Sequence, residues 1–173
     1  MQLPAESNVP KDKHWTDVAP ADSVVLMQQP PSQIVGLVGD IVATRYKTRG
    51  VQGCFVDGRV RDIRGIADLA QDGKGTFTCW SRALTSVGTS LEAKPWAVDS
   101  PIKVGAVEVH PGDIMVADES EGACCVIPKR KLDEVMELLP KHKEADDGLL
   151  ADVQGGMSFG EAIKRWPGHY SNH

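Results

Sequence analysis

A strand, a helix and a second strand follow one another over residues 23–56, and this order limits the fold more than any other feature of the chain. Residues 23–28 and 53–56 are short apolar runs, the first closed by two prolines and the second by an Asp-Gly turn. Residues 40–49 begin with Asp, end in basic residues and are followed by Gly50, which is the expected punctuation of a helix. Two strands joined through a helix normally lie parallel in one sheet, so this pattern predicts an α/β fold.

The rest of the sequence predicts short elements separated by turn residues. The expected elements are a glycine-rich turn over 36–39, a helix over 63–69, strands over 76–79, 96–98, 102–104 and 106–109, a hairpin over 114–127, a helix over 129–144 and a Ser-capped helix over 158–165. We expect one domain over residues 23–166, preceded by a polar N-terminal arm over 1–22 and followed by a C-terminal tail over 167–173.

The composition excludes several functional classes. With 19 basic and 24 acidic residues, the net charge of −5 argues against charge-driven binding to nucleic acid or to an anionic membrane surface. No apolar run approaches the roughly 20 residues of a membrane span, and the N-terminus lacks a secretory signal pattern. The four cysteines form no CxxC pair and have no His at zinc-ligand spacing, which predicts buried, reduced thiols in a cytoplasmic protein.

Charged residues at predicted strand ends are the strongest candidates for chemistry, because the sequence contains no motif for a serine nucleophile, a phosphate-binding loop, a zinc protease or a dinucleotide. Asp40 opens the predicted helix, and Arg61 and Asp62 follow the next strand, so the three can meet at one sheet edge beside the amides of residues 39–42. Two carboxylates can hold a divalent cation, and an Arg with helix-start amides can hold a carboxylate or an oxyanion. From spacing alone, the alternative is that Asp40 only caps a helix and that Arg61 and Asp62 form a surface turn.

The spacing of these three residues resembles a known signature. Asp40, then twenty residues, then Arg61-Asp62 matches the D/E-X20-R-D signature of the RraA-like family, which includes the class II 4-hydroxy-4-methyl-2-oxoglutarate (HMG/CHA) aldolases. The segments GLVGDIVATRYKTRGVQGCFVDGRVRD and VHPGDIMVADESEGACCVIP resemble the family's central segment and closing hairpin, and WAVDSPIKVGAVEVHPGD and GMSFGEAIKRWPGH resemble fungal members. The resemblance spans residues 14–168 and implies the family's swivelling β/β/α sandwich, with part of the usual N-terminal region expected to be missing.

The resemblance implies a role for each signature residue. Asp62 is expected to bind a divalent cation, Mg²⁺ or Mn²⁺, and Arg61 to contact the substrate carboxylate and the enolate oxygen. Asp40 is expected to hold metal-bound water. The substrate-binding amides are expected to come from Gly39, Asp40, Ile41 and Val42. In family aldolases a Glu of a neighbouring subunit completes the metal site, and Glu144 and Glu161 are possible counterparts in this chain.

The function implied by the resemblance is a metal-dependent aldolase that cleaves 4-hydroxy-4-methyl-2-oxoglutarate-type α-keto acids to pyruvate and decarboxylates oxaloacetate as a side activity. The same resemblance implies a homotrimer or a dimer of trimers, with a small α-keto acid as ligand and neither nucleic acid nor a membrane as partner. The alternative is a non-catalytic regulator or scaffold that binds a protein such as a ribonuclease, since the family's founding bacterial members inhibit ribonuclease E. Some of those members have lost the metal-binding Asp, whereas this chain keeps Asp62.

Overall fold

The computed structural model describes residues 6–71, 73 and 77–169 of the chain. The chain divides into two compact units, Met1–Pro111 and Gly112–His173. The prediction of one domain over residues 23–166, with an arm over 1–22 and a tail over 167–173, stays a prediction. Within the described residues no helix is both long enough and apolar enough to cross a membrane.

The first unit is an α/β structure, as predicted. Its elements, in chain order, are β1 (Val24–Gln28), β2 (Gly36–Val38), α1 (Asp40–Thr48), β3 (Gly53–Val60), α2 (Ile63–Gln71), β4 (Thr78–Leu84), β5 (Ile102–Val104) and β6 (Val107–Val109). Short 3-10 turns lie at Trp15–Asp17 and Thr89–Leu91. β5 and β6 form a small antiparallel pair, and the other four strands form one sheet.

β3 is the central strand of the four-stranded sheet, and β1, β2 and β4 are all parallel to it. β4 pairs with β3 along most of its length, so β1 and β2 share the other edge, with β1 opposite the first half of β3 and β2 opposite its end. The parallel pairing of β1 and β2 with β3, with α1 between them in the chain, confirms the predicted crossover unit. The ends of β2 and β3 therefore lie side by side.

Two predicted turns, at residues 36–39 and 57–58, are wrong, because all of these residues except Gly39 lie in strands. Asp57 and Gly58 lie inside β3, and residues 36–38 form β2. Asp57 pairs with Gln28 of β1, and Val56 and Arg59 on either side of the Asp-Gly pair are register partners of β4, so the strand continues through the pair with a shift of register. Pairing of the surrounding strand thus overrides the local turn preference of Asp-Gly. Gly58 is suited to this strand position because the side chain of Gln29 occupies the space that a Cβ would need.

Two of the predicted strands also need correction. Residues 96–98 lie in a loop, where the side-chain amide of Asn8 donates to the Val98 carbonyl at 2.8 Å and accepts from the Val98 N–H at 2.7 Å. These bonds satisfy the backbone of Val98 without a neighbouring strand. The strand predicted over 76–79 begins at Thr78 and runs on to Leu84, and position 76 lies outside the described residues.

The core of the first unit lies between the sheet and its two main helices. Val38, Cys54 and Val56 of the sheet are buried against Tyr46 of α1 and Ile66 of α2. The phenol of Tyr46 is almost fully buried, and burial raises its pKa. Part of the predicted N-terminal arm joins this core, because Trp15 packs edge-on against Tyr46 with ring centroids 6.3 Å apart. The core therefore fixes the start of α1 and of α2 relative to the sheet.

The second unit contains a hairpin and two helices, as predicted. Its elements are β7 (Ile114–Asp118), β8 (Ala123–Ile127), a 3-10 turn (Lys129–Lys131), α3 (Leu132–Gln154), α4 (Phe159–Arg165) and a 3-10 turn (Pro167–His169). The helix predicted over 129–144 runs ten residues further, to position 154, because Ala145 and Leu149 are buried. Cys124 and Cys125 are exposed on β8, so the prediction that the cysteines are buried is wrong for these two.

Candidate active site

The predicted site residues lie where two neighbouring strands pass into helices. β2 ends at Val38, Gly39 caps α1, and Asp40 is the first residue of that helix. β3 ends at Val60, and Arg61 and Asp62 lead into α2. The Arg61 N–H donates to the Val38 carbonyl at 2.9 Å, which ties the two strand ends together. The structure thus brings Gly39 and Asp40 of one helix start beside Arg61 and Asp62 of the other.

Arg61 and Asp62 form an ion pair at this edge. The distance from Arg61 Nη1 to Asp62 Oδ2 is 2.6 Å, and about a third of each side chain is exposed (33% and 35%). Arg61 Nε is buried and has no hydrogen-bond partner among the described residues. A buried donor without a partner costs about 1–3 kcal/mol, so such groups are rare and call for a functional or structural explanation. The guanidinium is therefore held in place with part of its donor capacity unused.

The ion pair lies directly on the start of α1, and Gly39 makes this possible. The backbone of Gly39 is extended (φ −122°, ψ −175°), a conformation open to any residue. A Cβ at this position, however, would lie 2.7 Å from Asp62 Oδ2 and 3.2 Å from Arg61 Cζ, which is too close for the carboxylate. Because Gly39 has no side chain, the Asp62 carboxylate can lie against it, at the positive end of the α1 dipole.

Asp40 faces the other helix start. Its Oδ1 accepts a hydrogen bond of 2.7 Å from the Ile41 N–H, so this predicted substrate-binding amide is engaged by Asp40 in this structure. A Cβ at Gly65, in the first turn of α2, would lie 2.8 Å from Asp40 Cβ and 3.2 Å from Asp40 Oδ2. Gly65 therefore lets the Asp40 side chain lie against α2. Ile41 is 76% exposed and Val42 is half-buried, so the first turn of α1 borders solvent beside the carboxylate.

Two site glycines were not singled out from the sequence. Gly65 supports Asp40, and a Cβ at Gly36 would lie 3.3 Å from both Cβ and Cγ of Arg61, so Gly36 supports the stem of that side chain. Both contacts join residues that are 25 positions apart in the chain. The spacing of Gly36 and Gly39, just before Asp40, predicts a turn and does not indicate that either glycine contacts a site residue.

Asp62 turns the chain from β3 into α2 in a left-handed conformation with φ of 57°. Asp tolerates this region better than most residues, yet it still carries strain there. The Asp62 carbonyl accepts from the Ile66 N–H at 3.2 Å, which starts the hydrogen-bond ladder of α2. The left-handed turn therefore sets both the direction of α2 and the position of the Asp62 carboxylate.

Glu144 and Glu161, the possible counterparts of a neighbouring subunit's ligand, belong to the second unit. Glu144 is exposed on α3. The Glu161 carboxylate accepts from the Ser158 hydroxyl, and Ser158 Oγ accepts from the Glu161 N–H at 3.4 Å. Ser158 therefore caps the start of α4 through its side chain, as the sequence predicted. A role for either Glu in a metal site stays a prediction.

The donor set at the two helix starts fits a hydrated divalent cation. Within the described residues no group of three or more His, Cys, Asp or Glu side chains could enclose a metal ion. The site offers two carboxylates, Asp62 and Asp40, with Asp62 open to solvent over about a third of its surface (35%). Mg²⁺ keeps several waters and is usually held by one or two carboxylates together with its substrate, so this sparse set suits it.

Arg59 lies in a different environment from Arg61. It lines a cleft of about 690 Å³ together with Gln28, Asp57, Arg82 and Lys103. Its Nη1 donates to the Leu84 carbonyl at 3.4 Å. Burial acts to raise the pKa of Asp57, but the hydrogen bonds from Gln28 and Arg82 together outweigh it, so the pKa is lowered. Arg59 near the end of β3 and Arg61 just beyond it thus provide a matched pair, one outside the candidate site and one at it.

Sequence comparison places the chain among known proteins. A family model described as RraA-like (Aldolase/RraA) matches residues 6–123. Over 147 residues the chain is 31% identical to a protein of Halalkalibacterium halodurans named "Putative 4-hydroxy-4-methyl-2-oxoglutarate aldolase"; the match covers 85% of this chain and 65% of that protein. The chain therefore belongs to the RraA-like family, and it spans less than two thirds of this relative. Membership of a fungal branch stays a prediction.

Solved structures show the same fold. A protein from Pseudomonas syringae pv. tomato, described as uncharacterized, is similar with a TM-score of 0.76 at 22% identity, over 88% of this chain and 68% of that one. Streptomyces coelicolor RraAS2, described as an unusual member of the RNase ES inhibitor RraA protein family, has a TM-score of 0.66 at 28% identity, over 76% of this chain and 63% of that one. The predicted RraA-like α/β fold is thereby confirmed.

Proposed function

We propose that this protein is a divalent-metal-dependent lyase that cleaves 4-hydroxy-4-methyl-2-oxoglutarate-type α-keto acids to pyruvate and also decarboxylates oxaloacetate. The observation that carries the proposal is the Arg61–Asp62 ion pair, which lies on the start of α1 beside Asp40. Family membership and the name of the Halalkalibacterium relative favour aldolase chemistry over other uses of such a site.

Asp62 would hold Mg²⁺ or Mn²⁺ directly, and Asp40 would hold the ion through water. When bound, the ion supplies a positive charge that draws electrons from the α-keto acid group of the substrate. The Asp40 carboxylate is oriented by the Ile41 N–H, so it can keep a water molecule in place and exchange a proton with it. The Asp62 carboxylate is oriented by Arg61 and by the space above Gly39.

Arg61 would bind the substrate carboxylate and stabilise the enolate oxygen. Its planar guanidinium presents several N–H groups in a fixed fork, and the residue is held at its stem by contact with Gly36. The amides of Gly39, Asp40 and Val42 at the start of α1 would bind the other substrate oxygens, since helix-start N–H groups attract anions. The Ile41 amide would join them only by exchanging its bond to Asp40 for one to the substrate. The backbone groups of the helix start are otherwise fixed before the reaction, so they stabilise the developing charge with little reorganisation.

Both proposed reactions pass through the same enolate of pyruvate. In aldol cleavage the substrate hydroxyl loses its proton and the carbon–carbon bond breaks. The electron pair of that bond moves into the enolate, and the other fragment leaves as a ketone. In decarboxylation the same pair is left behind when carbon dioxide departs. Protonation of the enolate carbon gives pyruvate in each case. The charge on Arg61 serves both reactions, so a Schiff-base lysine is not required.

The assembly is proposed to be a homotrimer or a dimer of trimers in the cytoplasm, acting on a small α-keto acid without nucleic acid or a membrane as partner. A Glu from a neighbouring subunit, Glu144 or Glu161, would complete the metal site. Light scattering of the purified protein tests this directly. A stable monomer with full activity would exclude the shared site.

A non-catalytic regulator is the second candidate function, and one observation favours it. RraAS2, described as an unusual member of the RNase ES inhibitor RraA protein family, is 28% identical to this chain, and the match covers 76% of this chain. The partner would then be a ribonuclease or another protein, and the site would be unused or structural. The chain has both Asp62 and the space at Gly39 that its carboxylate occupies, and this favours the lyase over the regulator.

A coupled assay separates the two candidates. Purified protein with Mg²⁺ or Mn²⁺ is given 4-hydroxy-4-methyl-2-oxoglutarate or oxaloacetate, and pyruvate is measured through lactate dehydrogenase and NADH. We expect pyruvate from both substrates, loss of activity with EDTA, and recovery when excess Mg²⁺ is added. An Asp62→Asn variant is the control for a contaminating enzyme. If neither substrate turns over although Mn²⁺ binds, the lyase proposal fails and the regulator remains.

A further inference from the structure

Two cysteines of the first unit face each other across paired strands. Cys54 of β3 and Cys79 of β4 are register partners, and their Sγ atoms are 3.3 Å apart. Cys54 is fully buried, and Cys79 is half-buried at the edge of the same core. Neither the fold nor the proposed chemistry at Arg61 and Asp62 requires two thiols in contact, so the pair calls for its own explanation.

The geometry allows a bond between the two sulfurs. Neighbouring strands lie roughly 4.7–4.9 Å apart, which is within the roughly 4.4–6.8 Å range of Cα separations found across disulfides. Because Cys54 and Cys79 lie directly opposite each other, the strands need no change of register. Rotation of the two side chains has to bring the sulfurs from 3.3 Å to a bonding distance of about 2.05 Å.

The two thiols differ in a way that sets the order of reaction. The Cys54 S–H donates to Cys79 Sγ, and this hydrogen bond raises the pKa of Cys54, with burial adding to the effect. The same hydrogen bond lowers the pKa of Cys79. Thiolates are the reactive form of cysteine, so the more accessible Cys79 is the sulfur that an oxidant meets first.

We propose that Cys54 and Cys79 form a redox modification site at which hydrogen peroxide converts the two thiols to an intrachain disulfide. The Cys79 thiolate attacks a peroxide oxygen, the O–O bond breaks, and a sulfenic acid forms while the hydroxide released takes up a proton to become water. The Cys54 sulfur then attacks the Cys79 sulfur, and its proton leaves with the departing hydroxide as a second water. The two thiols lose two electrons and two protons, and the peroxide is reduced to two waters.

The bond would link the two strands that flank Arg61 and Asp62 in sequence. The closed loop, residues 54–79, contains β3 from its second residue onward, Arg61, Asp62 and all of α2. In a reducing cytoplasm such a disulfide is transient and restored by thiols, as expected of a redox-responsive site rather than a structural bond. The inference does not depend on the proposed lyase activity.

Peptide mapping tests the proposal on the unmodified protein. The folded chain is treated with a small excess of hydrogen peroxide, remaining thiols are alkylated, and the protein is digested with trypsin without reduction. Cleavage at Arg and Lys places Cys54 in residues 50–59 and Cys79 in residues 75–82, and both exposed cysteines in a third peptide. We expect the first two peptides to be linked and the link to disappear on reduction. Peroxide treatment that leaves them unlinked, or links them only between molecules, overturns the proposal.

Two variants sharpen the result. The double variant Cys124→Ser, Cys125→Ser lacks the exposed thiols, so Cys54 and Cys79 are the two that remain. The total number of thiols per chain should then fall from two to zero on oxidation. In Cys79→Ser, peroxide should leave Cys54 reduced, because its thiol is fully buried and has no neighbouring cysteine sulfur to react with. Rapid oxidation of Cys54 in that variant would show that Cys79 is not the initiating sulfur. If Cys79→Ser fails to fold, the linkage map of the unmodified protein still decides the question.

Discussion

Replacing Gly39 with Ala tests the site with little change to the fold. The added Cβ would lie 2.7 Å from Asp62 Oδ2, whereas a close carbon–oxygen contact is roughly 3.3 Å. The carboxylate therefore has to move by about 0.6 Å or rotate away, which disturbs its 2.6 Å ion pair with Arg61. A misplacement near 1 Å in a catalytic arrangement can cost about 10²-fold in rate. We expect kcat/KM to fall by about 10-fold to 10²-fold and Mn²⁺ affinity to fall with it.

Stability should respond differently from activity. The extended backbone of Gly39 suits alanine, and an alanine reduces the entropy of the unfolded chain by about 0.4–1 kcal/mol. Alanine is a poorer helix cap than glycine, which opposes this gain by an amount of similar size, so the net change should stay within about 1 kcal/mol. For a chain of this size that corresponds to a shift in Tm of about 2–4 °C or less.

Gly88→Ala is the matched control. Gly88 also caps a short helical turn with an extended backbone (φ −73°, ψ 146°), but a Cβ there would meet nothing within 4 Å. Isothermal titration with Mn²⁺, the coupled pyruvate assay and thermal unfolding are measured on both variants. If Gly39→Ala binds Mn²⁺ and turns over substrate as the unmodified protein does, the carboxylate of Asp62 is not the ligand and the steric argument fails.

Three further predictions concern the same site. Asp62→Asn should weaken Mg²⁺ binding sharply, because it removes one charge from a donor set of two carboxylates; unchanged activity at limiting Mg²⁺ would exclude Asp62 as a ligand. Arg61→Lys should lower kcat by about 10²-fold, since Lys keeps the charge but not the planar fork. Arg59→Lys is the control and should have little effect, because Arg59 lies in the separate cleft. Equal losses of kcat in the two variants would show that Arg61 is not the arginine that stabilises the enolate. Oxalate, which mimics the planar enolate, should inhibit aldol cleavage and decarboxylation with one inhibition constant, and two unrelated constants would contradict a common intermediate.

The fold was predictable where the signals are local. Asp40 and Gly50 mark the ends of a helix whether or not the rest of the chain is known, and short apolar runs on both sides of it require a crossover. The prediction of a turn at Asp57-Gly58 was wrong because it used a local signal where long-range contacts decide the structure. The strand found there depends on pairing of β3 with β1, β2 and β4. Similarly, the last turns of α3 depend on the burial of Ala145 and Leu149.

The site was predictable only in part, because the signature names the charged residues but not what supports them. Asp40, Arg61 and Asp62 could be picked out by their type and their spacing of twenty residues. The supporting residues Gly36 and Gly65 have no side chain, so no pattern of polar groups reveals them. Their importance is visible only when the atoms of Arg61 and Asp40 are found in the space that a Cβ would occupy.

The proposed site is also marked by three local departures from what would stabilise the fold best. Gly39 caps α1 without a side-chain hydrogen bond, where Ser, Asp or Asn would add about a few tenths of a kcal/mol. Asp62 adopts a left-handed backbone, and Arg61 Nε is buried without a partner among the described residues. Each departure has the same consequence, because together they hold one carboxylate and one guanidinium at the positive end of a helix. Residues selected for stability alone would not break three rules within 24 positions of the chain and at one place in the fold, so the geometry supports a functional site independently of family resemblance.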